Sequence, residues 1–410
     1  MSSLVCRGCS APLSVTFVDL GMQPLSNAYV NPARALEPQT YYPLHVFVCG
    51  RCLLVQVPAF ETREEIFNDA YAYFSSYSDS WLAHSRAYAA AAIVRFGLTP
   101  ASRVVEVASN DGYLLQYFVE HGIPVLGIDP SGDVAEAAIA KGVPTEVAFF
   151  GAKTGAQARE RFGAADLMAA NNVLAHVPDL HDFVEGFARL LAPGGAGSFE
   201  FPHLMRMIEG AQFDTIYQEH YSYISLVALE PVLNAHGLEV WDVEELATHG
   251  GSLRVWFGHR GAHAETPAVE GIRAAERAAG LHELAGYAGF AERVRAIADA
   301  SVRFLLDAAR DGKSVVAYGA AAKGNTFMNT CGVRRDLMWF VADRNVHKQG
   351  KLMPGSRVPI AAPERIEAER PDYVVILPWN IRDEVSAQLA FVREWGGRFA
   401  TAVPALSVVA

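Results

Sequence analysis

Residues 103–115 read RVVEVASNDGYLL: an apolar strand, a tight polar turn and the start of a helix. Glu106 stands at the end of the strand, and Asn110 and Gly112 are residue types that adopt the left-handed backbone needed where a chain passes close to a ligand. A second apolar run, VLGIDPS at 125–131, delivers Asp129 about 20 residues downstream, the usual place for a carboxylate that grips ribose hydroxyls. Strand, turn, helix and a second strand ending in an acid predict a parallel, doubly wound α/β sheet that binds its ligand at the carboxyl ends of the strands.

The pattern continues on both sides. DLMAANNVL (166–174) and AGSFEFP (196–202) read as further strands, and GYLLQYFVEHG (112–122) and LHDFVEGFARLLAPGG (180–195) as the helices between them. A dinucleotide fingerprint would place glycines where Ala108 and Asn110 stand, and only Gly112 remains, so pyrophosphate is disfavoured at this turn. A ligand with ribose but no phosphate there fits better, and S-adenosylmethionine is the commonest such cofactor. Glu106, Asn110, Gly112 and Asp129 are its candidate contacts, joined by Asn171 and Asn172 at the end of the fourth strand. His176 lies just beyond them, placed to face a substrate in the cleft.

WLAHSRAYAAAAIVRFGL (81–98) has helical spacing and ends at Gly97. A helical region spans about 265–310, and a second alternation follows, with KSVVAYGA, LMWFVAD, SRVPI and DYVVILPW as strands. Residues 1–60, rich in cysteines and turn formers, form a small β-rich module. The expected domains are therefore 1–60, 61–310 and 311–410, the last a small Rossmann-like α/β unit.

With 410 residues the chain exceeds what one core usually serves. A formal net charge of -11 argues against nucleic acid as a partner. The apolar runs are too short for a membrane span. The opening MSSLVCRGCS has no basic stretch before an apolar core, which points to a cytoplasmic protein. Four of the 5 cysteines fall in two CxxC pairs, Cys6 with Cys9 and Cys49 with Cys52. Two such knuckles supply the four thiolates of a closed tetrahedral zinc site, which is structural because no coordination position is left for substrate. Cys331 reads as a small buried apolar residue.

One stretch remains, FDTIYQEHYSYISL at 213–226, where Tyr217, Glu219, His220 and Tyr221 crowd together in an apolar run. A helix over 214–224 would place Tyr217 and His220 on one face.

Taken in order, the knuckles around LGMQPLSNAYV, YAYFSSYSDSW, EVASNDG, NNVLAHVPD, YQEHYSY, HGGSLRVW, YGAAAKGNTFMN and LPWN resemble the S-adenosylmethionine-dependent sugar C-methyltransferases that act at C-3 of dTDP-linked 4-keto-deoxysugars in antibiotic sugar pathways. The resemblance covers nearly the whole chain. It implies a zinc-bearing module, a Rossmann-like class I methyltransferase core and a C-terminal α/β domain, with the nucleotide sugar held between domains. Methylating carbon requires a carbon nucleophile, and the proton beside a ketone is the accessible one to remove. His220 is the expected general base, Tyr217 the donor to the developing oxyanion or the alternative base, and Glu219 the residue that orients them. Tyr71, from the segment holding Tyr73 and Tyr77, is a cofactor or sugar contact on resemblance alone. Lys323 follows a strand in AYGAAAKGN, where an ammonium group and backbone amides can receive diphosphate oxygens, and Asn325, Arg344 and Asn380 are further nucleotide-sugar contacts. Gln218 stands where the family pattern has a histidine. The sequence leaves the oligomeric state open, a monomer included.

Overall fold

Alternating apolar residues near the N-terminus pair first with each other and then, unexpectedly, with the middle of the chain. The computed structural model describes residues 4–60 and 74–409. β1 (Val15–Gln23), β2 (Tyr42–Val48) and β3 (Val55–Gln56) form an antiparallel set in which Val15 faces Val48 and Phe47 faces Gln56. Leu44, Val46 and Val48 point inward at alternate positions of β2 and are fully buried.

The central sheet comprises β4 (Val104–Val107), β5 (Val125–Asp129), β6 (Thr145–Val147), β7 (Ala165–Asn171) and β8 (Leu191–Pro202). After β9 (Ser222–Tyr223), it is completed by β10 (Leu238–Leu246) and β11 (Ser252–His259). Its order is β10-β11-β8-β7-β4-β5-β6, with β4 to β8 parallel and β11 antiparallel to β8. Every residue of β4 is buried, as a strand covered by helices on both faces requires. From β4 the chain winds outward to β5 and β6, then returns to the other side of β4 for β7 and β8. The reversal opens a crevice at the carboxyl ends of β4 and β7. The helix Asp79–Phe96 lies over one face, started by Ser78 accepting the Trp81 amide and stopped by Gly97 at φ 57°.

A third sheet holds β12 (Val315–Tyr318), β13 (Val341–Ala342), β14 (Ile360–Ala361), β15 (Tyr373–Ile376), β16 (Arg398–Thr401) and β17 (Ser407–Val409) in the order β14-β13-β12-β15-β16-β17. All its pairings are parallel except that of β17. One apolar cluster runs from the N-terminal sheet (Phe17, Leu44, Val46) through Phe213 and Ile216 and the helix Phe290–Arg310 to Val315, Ala317 and Phe327 of the C-terminal unit. The chain is thus an α/β protein with a Rossmann-like core, as its sequence predicts. Among the described residues no helix is long and apolar enough to cross a membrane.

The helix expected over 214–224 does not form. Phe213–Thr215 is a single 3-10 turn, residues 218–219 turn again, and β9 then pairs with β3, Tyr223 facing Val55 and Ser222 facing Gln56. The backbone here is taken by a strand distant in sequence, which outweighs local helical spacing.

Candidate active site

The crevice at the switch point is lined by residues in strained backbone. Ala108, Asn110 and Asn172 have φ of 55°, 48° and 58°, and Gly112 has 77°. Ala108 therefore adopts left-handed geometry without being glycine. Asp129, at the end of β5, accepts the Asn110 amide on Oδ2 and the Ser131 amide on Oδ1, each at 2.9 Å, which ties the first turn to the second strand. Burial raises the pKa of Asp129, partly offset by those amides, and pushes Glu106 well above the usual carboxylate range. Among the described residues neither Glu106 oxygen completes a hydrogen bond, although the Tyr113 hydroxyl approaches it, and Asp111 Oδ1, Asn171 Oδ1 and Asn172 Oδ1 are likewise buried without partners. A crevice lined with buried acceptors calls for a ligand rich in hydroxyl and amino donors. The ribose, amino and ammonium groups of S-adenosylmethionine supply these, and a phosphate, itself an acceptor, does not.

Beyond the crevice lies the 213–223 stretch. Although the helix is absent, the Tyr217 hydroxyl is 2.7 Å from His220 Nε2, and His220 Nδ1 is 2.8 Å from the Thr215 carbonyl oxygen. A carbonyl only accepts, so Nδ1 carries the proton and Nε2 is the basic atom, receiving the Tyr217 O–H. Burial, then the neighbouring His176, whose ring centroid is 4.7 Å away, drive the His220 pKa well below its ordinary value. His176 itself is lowered to about 4 by burial. The imidazoles here are neutral.

Glu219 turns away from this pair. Its carboxylate accepts both Asn27 Nδ2 contacts, at 2.9 and 3.0 Å, and the Ser26 hydroxyl at 3.2 Å, so it fastens the turn to the N-terminal module. Gln218 also points that way, toward the Gln23 carbonyl at 3.4 Å. On the opposite side, Asp214 Oδ2 accepts Trp379 Nε1 at 2.7 Å and the Ile216 carbonyl accepts the Thr326 hydroxyl at 2.8 Å. Burial raises Asp214 to about 6, against the pull of Lys323. Lys323 lies 4.9 Å over the Trp379 ring and 3.3 Å from Asn380 Oδ1, with its pKa lowered by burial.

The structure therefore brings Tyr217, His220 and His176 together, with Lys323 beside Asn380 and close enough to act on His220, and sets Glu106, Asn110, Gly112, Asp129, Asn171 and Asn172 at the carboxyl ends of β4, β5 and β7. Asn325 is buried, its Oδ1 accepting Asn329 Nδ2 at 3.1 Å within the helix Ala322–Thr330. Arg344 is exposed at the end of β13, and no described contact joins it to Lys323. Tyr71 and Tyr73 lie outside the described residues, and Tyr77 is 74% exposed. The sequence reading passed over His249, which sits at φ 55° with its Nε2 3.3 Å from Asn172 Nδ2. It also passed over Asp214, Trp379 and Asn27. HGGSLRVW and LPWN mark two of these, but nothing local says that they meet.

The four knuckle thiols form one cluster. Their sulfurs all lie within 4.8 Å of one another, with Cys6 and Cys52 at 3.4 Å and Cys9 and Cys49 at 3.5 Å. This is the donor set of a structural zinc with no open coordination position. The Gly8, Arg51 and Cys52 amides and Gln56 Nε2 donate to these sulfurs and fix their orientation.

Three family models match in succession: "Putative zinc binding domain" over residues 6–67, "Methyltransferase domain" over 81–243 and "C-methyltransferase C-terminal domain" over 247–404. The chain is 36% identical over 408 residues to C-methyltransferase NovU of Streptomyces niveus, covering 98% of this chain and 96% of that one. Among solved structures, an S-adenosylmethionine dependent methyltransferase from Mesorhizobium loti aligns at TM-score 0.33 and 18% identity, over 41% of this chain and 97% of its own. Magnesium protoporphyrin IX methyltransferase (ChlM) from Synechocystis PCC 6803 with bound SAM aligns at TM-score 0.34 and 16% identity, over 47% and 88%.

Proposed function

Since the chain belongs to the C-methyltransferase family that includes NovU of Streptomyces niveus, we propose that it methylates C-3 of a dTDP-linked 4-keto-deoxysugar through an enolate. The observation that supports this reading best is the Tyr217–His220 pair. A neutral imidazole with Nδ1–H committed to Thr215 presents Nε2 as a base, beside a hydroxyl able to donate.

Glu106, Asn110, Asp129, Asn171 and Asn172 would hold S-adenosylmethionine, which when bound would supply an electrophilic methyl group. The chain's own residues prepare the carbon that receives it. His220 Nε2 takes the proton from C-3, the C–H electron pair moves into the C-3–C-4 bond, and the carbonyl π pair moves onto the C-4 oxygen. The Tyr217 hydroxyl, released from Nε2, donates to that oxygen as its charge grows. Lys323 and Asn380 receive the diphosphate, whose negative charge favours the Lys323 ammonium that burial disfavours. His176, neutral and packed against His220, shapes the sugar side of the cleft without competing for the proton.

The test is deuterium wash-in at C-3 of a dTDP-4-keto-deoxysugar in heavy water with no methyl donor present. Wild type should exchange, and His220→Asn should lose on the order of 10²–10⁴ of that rate, with Tyr217→Phe losing less. A methyl group recovered on oxygen or nitrogen, with no exchange at C-3, would refute the reading.

A further inference from the structure

Arg7 is the first of the two residues between Cys6 and Cys9, and its side chain runs away from the thiol cluster into the protein. Its Nη1 donates to the Tyr221 carbonyl, and to the Ser222 hydroxyl at 3.3 Å, while Nη2 donates to the Val57 carbonyl at 2.8 Å. The guanidinium lies 5.3 Å over the Tyr221 ring, itself only 1% exposed. At the other end, the Arg7 amide donates to Gln56 Oε1 at 3.0 Å, and Gln56 Nε2 donates to Cys6 Sγ at 3.1 Å. The Tyr221 carbonyl also accepts the Val57 amide at 3.0 Å, next to the pairing of β3 with β9. An unbroken set of contacts thus leads from a zinc thiolate to the residue that follows His220.

We propose that Arg7 is a positioning residue for the proton-handling pair: it pins the Tyr221 carbonyl and so sets the direction from which His220 Nε2 meets the substrate. The inference rests on the role given to His220 above. The His220 ring has its own contacts to Thr215 and Tyr217 within the same stretch, which is tied to the rest of the molecule before His220 at Asp214, Ile216 and Glu219, so the chain on the far side of His220 needs its own anchor. Asn27 and Ser26 hold the turn through Glu219 on one side of His220, and Arg7 holds it on the other. A guanidinium suits the task because it is permanently charged and can donate in two directions from one rigid plane, here to the carbonyls of Val57, just after β3, and Tyr221, just before β9. The charge-assisted bonds are made in a buried site, where losing them leaves the Tyr221 carbonyl with the Val57 amide and takes away the guanidinium donor of the Val57 carbonyl.

The experiment uses the full-length zinc-loaded protein as Arg7→Met and Arg7→Lys, with His220→Asn as reference. Zinc content, S-adenosylhomocysteine affinity, kcat and KM, C-3 deuterium wash-in without donor, and the two-bond ¹H–¹⁵N histidine spectrum are read for each. Arg7→Met should retain zinc and donor affinity, and lose kcat and wash-in by about 100-fold at nearly constant KM, the scale set by a displacement of about 1 Å at a catalytic group. Its His220 signal should depart from a single Nδ1–H form. Arg7→Lys should recover part of the loss. Kinetics and a His220 signal like those of wild type in Arg7→Met overturn the proposal, as does a loss of turnover matched by an equal loss of donor affinity. If Arg7→Met fails to fold or to hold zinc, Arg7→Lys decides, and a wild-type His220 signal and kcat in that variant overturn it. If His220→Asn keeps its wash-in, the assignment of the base falls instead, and the His220 spectrum of the Arg7 variants alone judges the positioning.

Discussion

His220 shows how much of a residue's chemistry is decided by its neighbours. A carbonyl at one ring nitrogen and a hydroxyl at the other select a single tautomer, and burial together with His176 keeps it uncharged. A histidine whose pKa is depressed loses its basic form only when the pH falls below that depressed value, so the acid limb of kcat/KM should lie below about 6.5, the ordinary histidine value. The Lys323 ammonium is one of the charges that lower it. Lys323→Met should therefore move the acid limb to higher pH while raising KM for the nucleotide sugar, and an unmoved limb would show that Lys323 does not act on His220. At this scale the sequence was informative about residue types and silent about partners. The thiolates of Cys6, Cys9, Cys49 and Cys52 announce themselves by spacing, and Tyr217 and His220 by density. Asp214 does not, because the Trp379 that defines its role is 165 positions away.

At the scale of elements, alternation and turn chemistry foretold the two mainly parallel sheets, since their central strands are short runs of buried residues and several are followed by helices. Residues 214–224 do not form the helix their spacing suggests, because Ser222 and Tyr223 pair with Gln56 and Val55, which no local pattern couples to them. The turn Thr248–Gly250 is another element shaped by distant contacts. Gly250 has φ +90°, and a Cβ there would lie 2.4 Å from Trp379 Cη2. Gly250→Ala should push the indole off Asp214, cost about 1–3 kcal/mol of stability in chemical denaturation and raise KM for the nucleotide sugar. An unchanged stability would mean that the indole yields without cost.

Across the whole molecule, the donor crevice belongs to one sheet, whereas the proton-handling turn belongs to none of the three units alone. It supplies the last strand of the N-terminal sheet, lies against the C-terminal helix Ala322–Thr330, and packs into the apolar cluster common to both. Zinc loss, through Cys49→Ser or chelation, should therefore be felt far from the metal. Hydrogen exchange should speed up over residues 4–57 and 217–223, while 104–129 keeps its protection and the donor still binds. Equal loss of protection everywhere would show that the metal holds up the fold as a whole. Three sequential units were legible from composition and periodicity; that the reacting turn is shared among them was not, because that fact lies in pairings such as Arg7 with Tyr221, 214 positions apart.

The fastening of one short turn from both sides also bears on how the protein is made. As the chain leaves the ribosome, the donor-binding sheet is complete once His259 has emerged, but the clasp on Asp214 waits for Trp379. On the proposed roles, a nascent chain takes up its methyl donor before its base is clasped, and it becomes chemically competent only once Trp379 has emerged.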